Sequence, residues 1–327
     1  MRTTVLGVRT FVLMLCVSLS AATAFSQSIT TGNGKYEIGF GIGPLFFLGD
    51  LGGNYGTGKT FIKDVNLPLT KVSKGFYAAV YPSEFFGIRA AINHGKLEGY
   101  DHMVEDKGGA EYFRKKRNLQ FQSSVLEAYI AAEIYPTVFM EQYDGLAGKL
   151  RPYGIVGFGA FKFNPKGEYI DANGRSSWVP LKPLHLEGQG MDEYPDRKEY
   201  KLTATEIPMG FGAKYYIKDN MYIGMEVLHR KTFTDYIDDV STDYIDGNLF
   251  EQYLSSADAQ MARQLFYREN RIGNTTRPFF PPDGEQRGDP KENDSFFSTI
   301  IKFGWRLNDW NSPNGRAARQ LRCPAFY

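Results

Sequence analysis

Apolar and polar side chains alternate with a period of two through much of this chain. Tyr36, Ile38, Phe40 and Ile42 alternate with Glu37, Gly39, Gly41 and Gly43. Phe86, Ile88, Ala90 and Ile92 alternate with Gly87, Arg89, Ala91, Asn93 and Gly95. Leu126, Ala128, Ile130, Ala132 and Ile134 alternate with Glu127, Tyr129 and Glu133. The longest such stretch, Tyr200 to Tyr244, reads as two strands joined at Lys218-Asp219-Asn220. It sets Ile207, Met209, Phe211, Ala213, Tyr215 and Ile217, then Ile223, Met225 and Val227, against Glu206, Gly210, Gly212, Lys214, Gly224, Glu226 and Arg230. This period predicts strands with one apolar and one polar face. Eight are predicted: 35–48, 72–81, 85–97, 122–135, 151–164, the two in 200–233, and 296–307. The fifth carries Tyr153, Ile155, Phe161 and Phe163 on one face, with Val156 and Phe158 blurring the alternation. The eighth places Phe297, Thr299, Ile301, Phe303, Trp305 and Leu307 together.

The connections alternate in length. Those at 49–71, 98–121, 165–200 and 234–295 are long, and those at 82–84, 136–150 and 218–221 are shorter. No segment after the leader approaches the ~18 consecutive apolar residues of a membrane-spanning helix. The chain holds 35 Gly, 21 Tyr and 25 Phe. Such a chain spans a membrane only as a closed barrel, because hydrocarbon tolerates no unpaired sheet edge. The fold expected is an all-β, eight-stranded antiparallel transmembrane barrel with turns on the periplasmic side, long extracellular loops and a short helix in the last loop. Girdle aromatics are expected at Phe46, Phe47, Tyr135, Phe163, Tyr215, Tyr216, Phe233 and Trp305.

Residues 1–27 read as a secretory signal: Arg2 and Arg9, an apolar run over Thr10 to Leu19, and a small-residue site at Ala22-Thr23-Ala24. Cys16 would leave with it, so Cys323 is the one cysteine expected in the mature chain. Loss of Arg2 and Arg9 takes the formal charge from +1 to −1, which gives no field that would draw nucleic acid. The barrel is expected over 28–307 and a periplasmic tail over 308–327.

The polar strand faces carry Glu37, Glu127, Glu133, Glu206 and Glu226 together with Arg89, Lys214, Arg230, Lys302 and Arg306. Eight strands enclose only enough space for side chains, and charges there must pair. These ten residues are expected to form an internal ion-pair network and to fill the lumen.

Gly53 to Thr60 matches the phosphate-loop spacing but lacks the strand and helix that motif needs, so it reads as a loop. Gly247 to Arg268 has helical spacing. Asp235, Asp238, Asp239, Asp243 and Asp246 crowd the start of the last loop. Hydrogen bonding at the barrel rim is their expected role, and Ca²⁺ binding the alternative. His94, His102, His185 and His229 show no zinc spacing. His94 near the top of the third strand and Asp235 just past the seventh are the pair a rim enzyme would bring together. In the tail, Arg316, Arg319, Arg322 and Cys323, with Trp310 and Phe326, suit a docking peptide.

EIGFGIGPLFFLGDLG, RPYGIVGFGAFKFNP, PLHLEGQG and HRKTFTDYIDDVSTDY together resemble one family. The chain is similar over residues 35 to 307 to the small outer-membrane β-barrels of Bacteroidetes that include the barrel associated with the type IX secretion system. The resemblance implies an outer-membrane location, no enzymatic activity, and a periplasmic ring lipoprotein of the secretion or gliding machine as partner; the apolar strand faces are expected to contact lipid, and no cofactor or metal is expected. The rival expectation is a surface barrel that recognises an extracellular ligand through its third and fourth long loops.

Overall fold

A computed structural model describes residues 36–51, 70–82, 85–103, 111–136, 150–218, 220–268 and 281–307. The leader, the Gly53 to Thr60 segment and the tail with Arg316, Arg319, Arg322 and Cys323 lie outside the described residues.

The wall is built from β1 (Tyr36–Leu48), β2 (Lys71–Val80), β3 (Phe86–Tyr100), β4 (Gln120–Ile134), β5 (Leu150–Lys162), β8 (Thr203–Lys218), β9 (Met221–Thr232) and β10 (Ser295–Leu307). Each pairs antiparallel with its neighbour in that order, and β10 closes on β1. The result is a closed eight-stranded barrel. One row of registered partners runs Tyr222, Gly304, Gly39, Tyr77, Ala91, Tyr129, Gly159, Glu206 and back to β9 at Thr232. A full circuit therefore climbs from Tyr222 to Thr232, ten residues along the same strand. That stagger forces the strands to tilt and fixes a narrow bore.

The outside is apolar. Phe76, Ile130, Phe158 and Phe211 are 62 to 74% exposed, and Ile38, Ile42, Ile88, Ile92, Met225 and Ile301 join them in a continuous band. Large exposed apolar surface of this extent is lipid-facing in a closed barrel. The chain is thus an outer-membrane β-barrel, with its apolar belt in the bilayer.

β5 departs from the simple alternation. Tyr153, Ile155, Phe161 and Phe163 are buried inside the barrel, while Val156 and Phe158 face outward. Both faces of this strand are apolar because its upper half borders an apolar layer inside the barrel mouth. The expected girdle changes as well. Tyr215, Phe233 and Trp305 are exposed, but Tyr135, Phe163 and Tyr216 are buried inside, and Phe47 packs edge-on against Phe121.

Inward glycines stand beside inward tyrosines of neighbouring strands. Gly39 lies opposite Tyr77, Gly304 opposite Tyr222 and Gly212 opposite Tyr153. A Cβ on any of the three would overlap that tyrosine's ring or hydroxyl. Glycine here is a space requirement: the ring lies over the neighbouring strand and fills the bore.

The third long connection holds a hairpin that the alternation alone does not predict, β6 (Pro165–Ile170) and β7 (Ser176–Pro180). Its turn is Asp171-Ala172-Asn173-Gly174, where Asp171 accepts from the backbone of Asn173 and Arg175, each at 2.8 Å, and Gly174 has φ +78°. β6 pairs with the part of β4 that extends beyond β5. The last connection holds two helices rather than one, α2 (Phe250–Tyr253) and α3 (Ser256–Phe266). Ser255 separates them: it is extended and caps α3 by accepting from Asp258 N. A seven-residue helix, α1 (Glu111–Arg117), precedes β4.

Candidate functional site

Among the described residues, buried side chains fill the lumen in stacked layers. Nearest the short turns, Glu37 meets Lys214 at 2.7 Å and Arg306 at 3.1 Å. Lys214 also reaches Glu133 at 3.2 Å. Arg89 bridges Glu133 and Glu226, the latter at 2.6 Å, and Lys302 meets Glu226 at 3.1 Å. Tyrosines complete the hydrogen bonding. Tyr81 shares its one hydroxyl proton between Glu37 at 2.8 Å and Glu133 at 2.9 Å, Tyr153 donates to Glu226 at 2.6 Å, and Tyr216 and Tyr222 donate to Glu37, each at 3.0 Å. Tyr135 donates to Glu133. One layer higher, Arg230 grips Glu127 through two 3.0 Å bonds, with Asn93 and Ser298 alongside.

Nine of the ten residues expected in this network meet a partner of opposite charge. Glu206 does not: its buried carboxyl group lies against the carboxyl of Glu127 rather than a cation of its own, and Gly159 stands beside it where a larger residue would intrude. β8 places Glu206 above the Arg230–Glu127 pair, where Arg230 is already held on both sides. Apart from Tyr129, already placed on the polar face beside Glu127 and Glu133, the tyrosines were the missed half of the lumen. Parity was the signal for Tyr216 and Tyr222, which share strand faces with Lys214 and Glu226, whereas Tyr77 and Tyr153 lie on strands that carry none of the ten charged residues.

Above Glu127 the bore turns apolar. Leu45, Leu97, Phe121, Val125, Phe161, Phe163 and Phe296 form a layer continuous with Leu186, Ile237, Val240, Ile245, Phe250, Leu265 and Phe266 of the long loops. The loops therefore form a crown with its own core, seated on the barrel mouth. Arg117 ties it together. Its guanidinium pairs with Asp101 at 2.7 Å and donates to the backbone carbonyls of Asp50 and Arg287, and its own carbonyl accepts from Arg268 at 3.2 Å. Glu187 meets Arg287 at 2.7 Å and accepts from Ser241 and Thr242.

The aspartate cluster is divided between burial and surface. Asp235, Asp238 and Asp239 are buried, and Asp50 and Asp294 lie close enough to Asp235 and Asp238 to repel them. Asp238 accepts from the backbones of Leu51 and Val240, each at 3.0 Å, and Asp294 from Ile237 at 2.8 Å. Burial and the neighbouring carboxylates push Asp238 and Asp294 well above the usual range. Burial first, then the adjacent acids, lifts Asp235 to about 8, although Ser241 opposes the rise. Burial lifts Asp50 to about 6 against its hydrogen bond from Asp289. Asp243 faces Arg197 at 3.9 Å, and Asp246 accepts from Asn248 at 3.0 Å. Among the described residues no three His, Cys, Asp or Glu side chains are arranged to hold a metal ion.

His94 and Asp235 are not brought together. His94 faces outward from β3, with Nε2 3.0 Å from Ser124 Oγ, whereas Asp235 is buried in the crown.

No family model matches the chain, and no curated protein matches it. Solved structures of small outer-membrane barrels resemble it distantly. Ail of Yersinia pestis is 8% identical, with a TM-score of 0.34, over 85% of this chain and all of its own (100%). OprG of Pseudomonas aeruginosa is 10% identical at 0.35, covering 83% of this chain and 95% of its own. Outer membrane protein W of Escherichia coli is 12% identical at 0.29, covering 85% and 100%. The barrel assignment stands on the chain's own strand register.

Proposed function

We propose that this protein is a sealed, non-enzymatic anchor in the outer membrane that couples a type IX secretion or gliding assembly to the bilayer. The observation that carries the anchor is the filled lumen. Charged and aromatic layers occupy the bore, and the packed crown covers its outer mouth, so the barrel acts through its surfaces rather than through a pore. The coupling rests on the resemblance of the strand-one, strand-five and post-strand-seven motifs to the secretion-associated barrels. The partner proposed is the periplasmic ring lipoprotein, met at the short-turn end and through Arg316, Arg319, Arg322 and Cys323. A tagged full-length chain purified from outer membranes should bring that lipoprotein with it. Recovery of the barrel without it under mild extraction would sink the coupling. A disulfide through Cys323 predicts a band shift on non-reducing electrophoresis that disappears in Cys323→Ser.

A second reading draws on the crown, whose third and fourth loops share one packed core with the barrel mouth. A rigid outer surface of this kind suits recognition of an extracellular ligand. Deletion of 247–293 separates the two: secretion persists and ligand binding fails if recognition is the role, and secretion fails if the loop serves the machine.

A further inference from the structure

The outward face of the barrel is not uniformly apolar. Near the long-loop end, β2, β3 and β5 carry Lys74, His94, Lys96 and Lys162, all exposed. Three of these share one registered row, since Lys74 lies opposite His94, His94 opposite Leu126, and Leu126 opposite Lys162. Lys96 is the next outward position beyond His94 and lies opposite Ser124. Among the described residues the three lysines have no ion-pair partner. Glu98, the acid two positions past Lys96, is held by Lys71 at 3.0 Å. β2, β4 and β5 present no outward acid along their length.

Directly toward the short turns the same strands are apolar, with Phe76 on β2, Ile92 on β3 and Phe158 on β5. The opposite wall differs: Phe46 and Phe297 stack at 4.6 Å on β1 and β10, and β9 carries one outward lysine, Lys231, beside the half-buried His229. The basic row is therefore confined to one side and sits on the edge of the lipid belt. A soluble anion would touch only the row, and a soluble acidic partner could not follow the strip into the bilayer. A lipid with an anionic headgroup meets both at once, its chains on the apolar strip and its charge on the ammonium groups.

We propose that β2 to β5 form a docking strip for a phosphorylated lipid of the outer leaflet, with its phosphates on Lys74, Lys96 and Lys162 and its acyl chains along Phe76, Ile92 and Phe158. The strip rests on the outer-membrane reading, with the long loops outermost, and is independent of any periplasmic partner. Its climb follows the stagger of the barrel, so the phosphates are met in a rising line from β2 to β5.

The test uses the full-length protein folded in zwitterionic micelles and native mass spectrometry. The probes are lipid A, lipid A stripped of its phosphates with the same chains, and inorganic phosphate. The wild type should retain the phosphorylated lipid at least about tenfold better than the stripped one, and K74E/K96E/K162E should lose at least about tenfold of that retention. K231E, on the other wall, should stay within about twofold. K74Q/K96Q/K162Q should lie between and carries the comparison if the charge reversal does not fold, as read from heat-modifiable electrophoretic mobility. Equal retention of both lipids, displacement by inorganic phosphate at matched concentration, or an equal loss in K231E would overturn the strip. Failure of the wild type to fold in any lipid or micelle would instead strike the outer-membrane reading beneath it.

Discussion

Lys214 shows how single residues hold the bore. It lies between Glu37 and Glu133 with no exposed side-chain surface, and it also donates to Tyr81 at 2.6 Å. Replacing a buried pair with apolar groups can be neutral, but removing one partner leaves the other charge uncompensated. Lys214→Met takes one cation from each of two buried carboxylates but leaves Glu37 to Arg306 and Glu133 to Arg89, so it should cost about 3 kcal/mol, the lower end for a broken buried pair. A urea titration in micelles, followed by tryptophan fluorescence, checks it. A midpoint equal to that of the wild type would show that Arg89 and Arg306 suffice. The charged members of this layer were legible in the sequence because period-two parity places them on one face. Glu206 was not, because parity gives the face and not the partner. Only the side-chain contact across the lumen shows that Arg230 is already committed to Glu127.

Among the elements, the crown is where sequence reading fell shortest. Strand alternation marks the wall, yet the crown is irregular backbone whose order comes from long-range pairs such as Arg117 with Asp101 and Arg287 with Glu187. The β6–β7 hairpin did carry a local signal, the Asn173-Gly174 turn before Ser176-Ser177-Trp178-Val179. Arg117→Ala removes contacts to three other segments at once, and proteolysis in the crown should accelerate while the barrel core stays intact. The buried aspartates set a pH dependence. Their folded-state values are raised, so the stability they contribute is complete below the ordinary carboxylate range and is lost as pH rises through about 6 for Asp50 and about 8 for Asp235. Hydrogen exchange at Ile237 and Val240, corrected for intrinsic rates, should be slower at pH 5 than at pH 8.5. The paired change Asp235→Asn with Asp294→Asn should flatten that difference. An unchanged pH dependence would mean the cluster does not control crown opening.

For the whole molecule, eight strands and a ten-residue stagger leave a bore that the enclosed tyrosines, arginines and glutamates occupy. Purified protein in planar bilayers should give no discrete conductance steps, and its proteoliposomes should swell in sugar no faster than empty ones. Steady channel openings by the folded wild type would refute the sealed barrel. Barrel class and the grouping of long connections at one end and short ones at the other were legible from alternation and loop lengths. The seal was legible only in part, because the apolar upper plug is assembled from β5 and the distant last loop.

The glycine–tyrosine pairing inside the wall has a consequence for the cell. A barrel whose cavity is blocked by rings laid over neighbouring strands adds surface to the outer membrane without adding holes to it. Copy number is then uncoupled from leakiness, so a bacterium can crowd its envelope with this protein and keep its resistance to small toxic solutes unchanged.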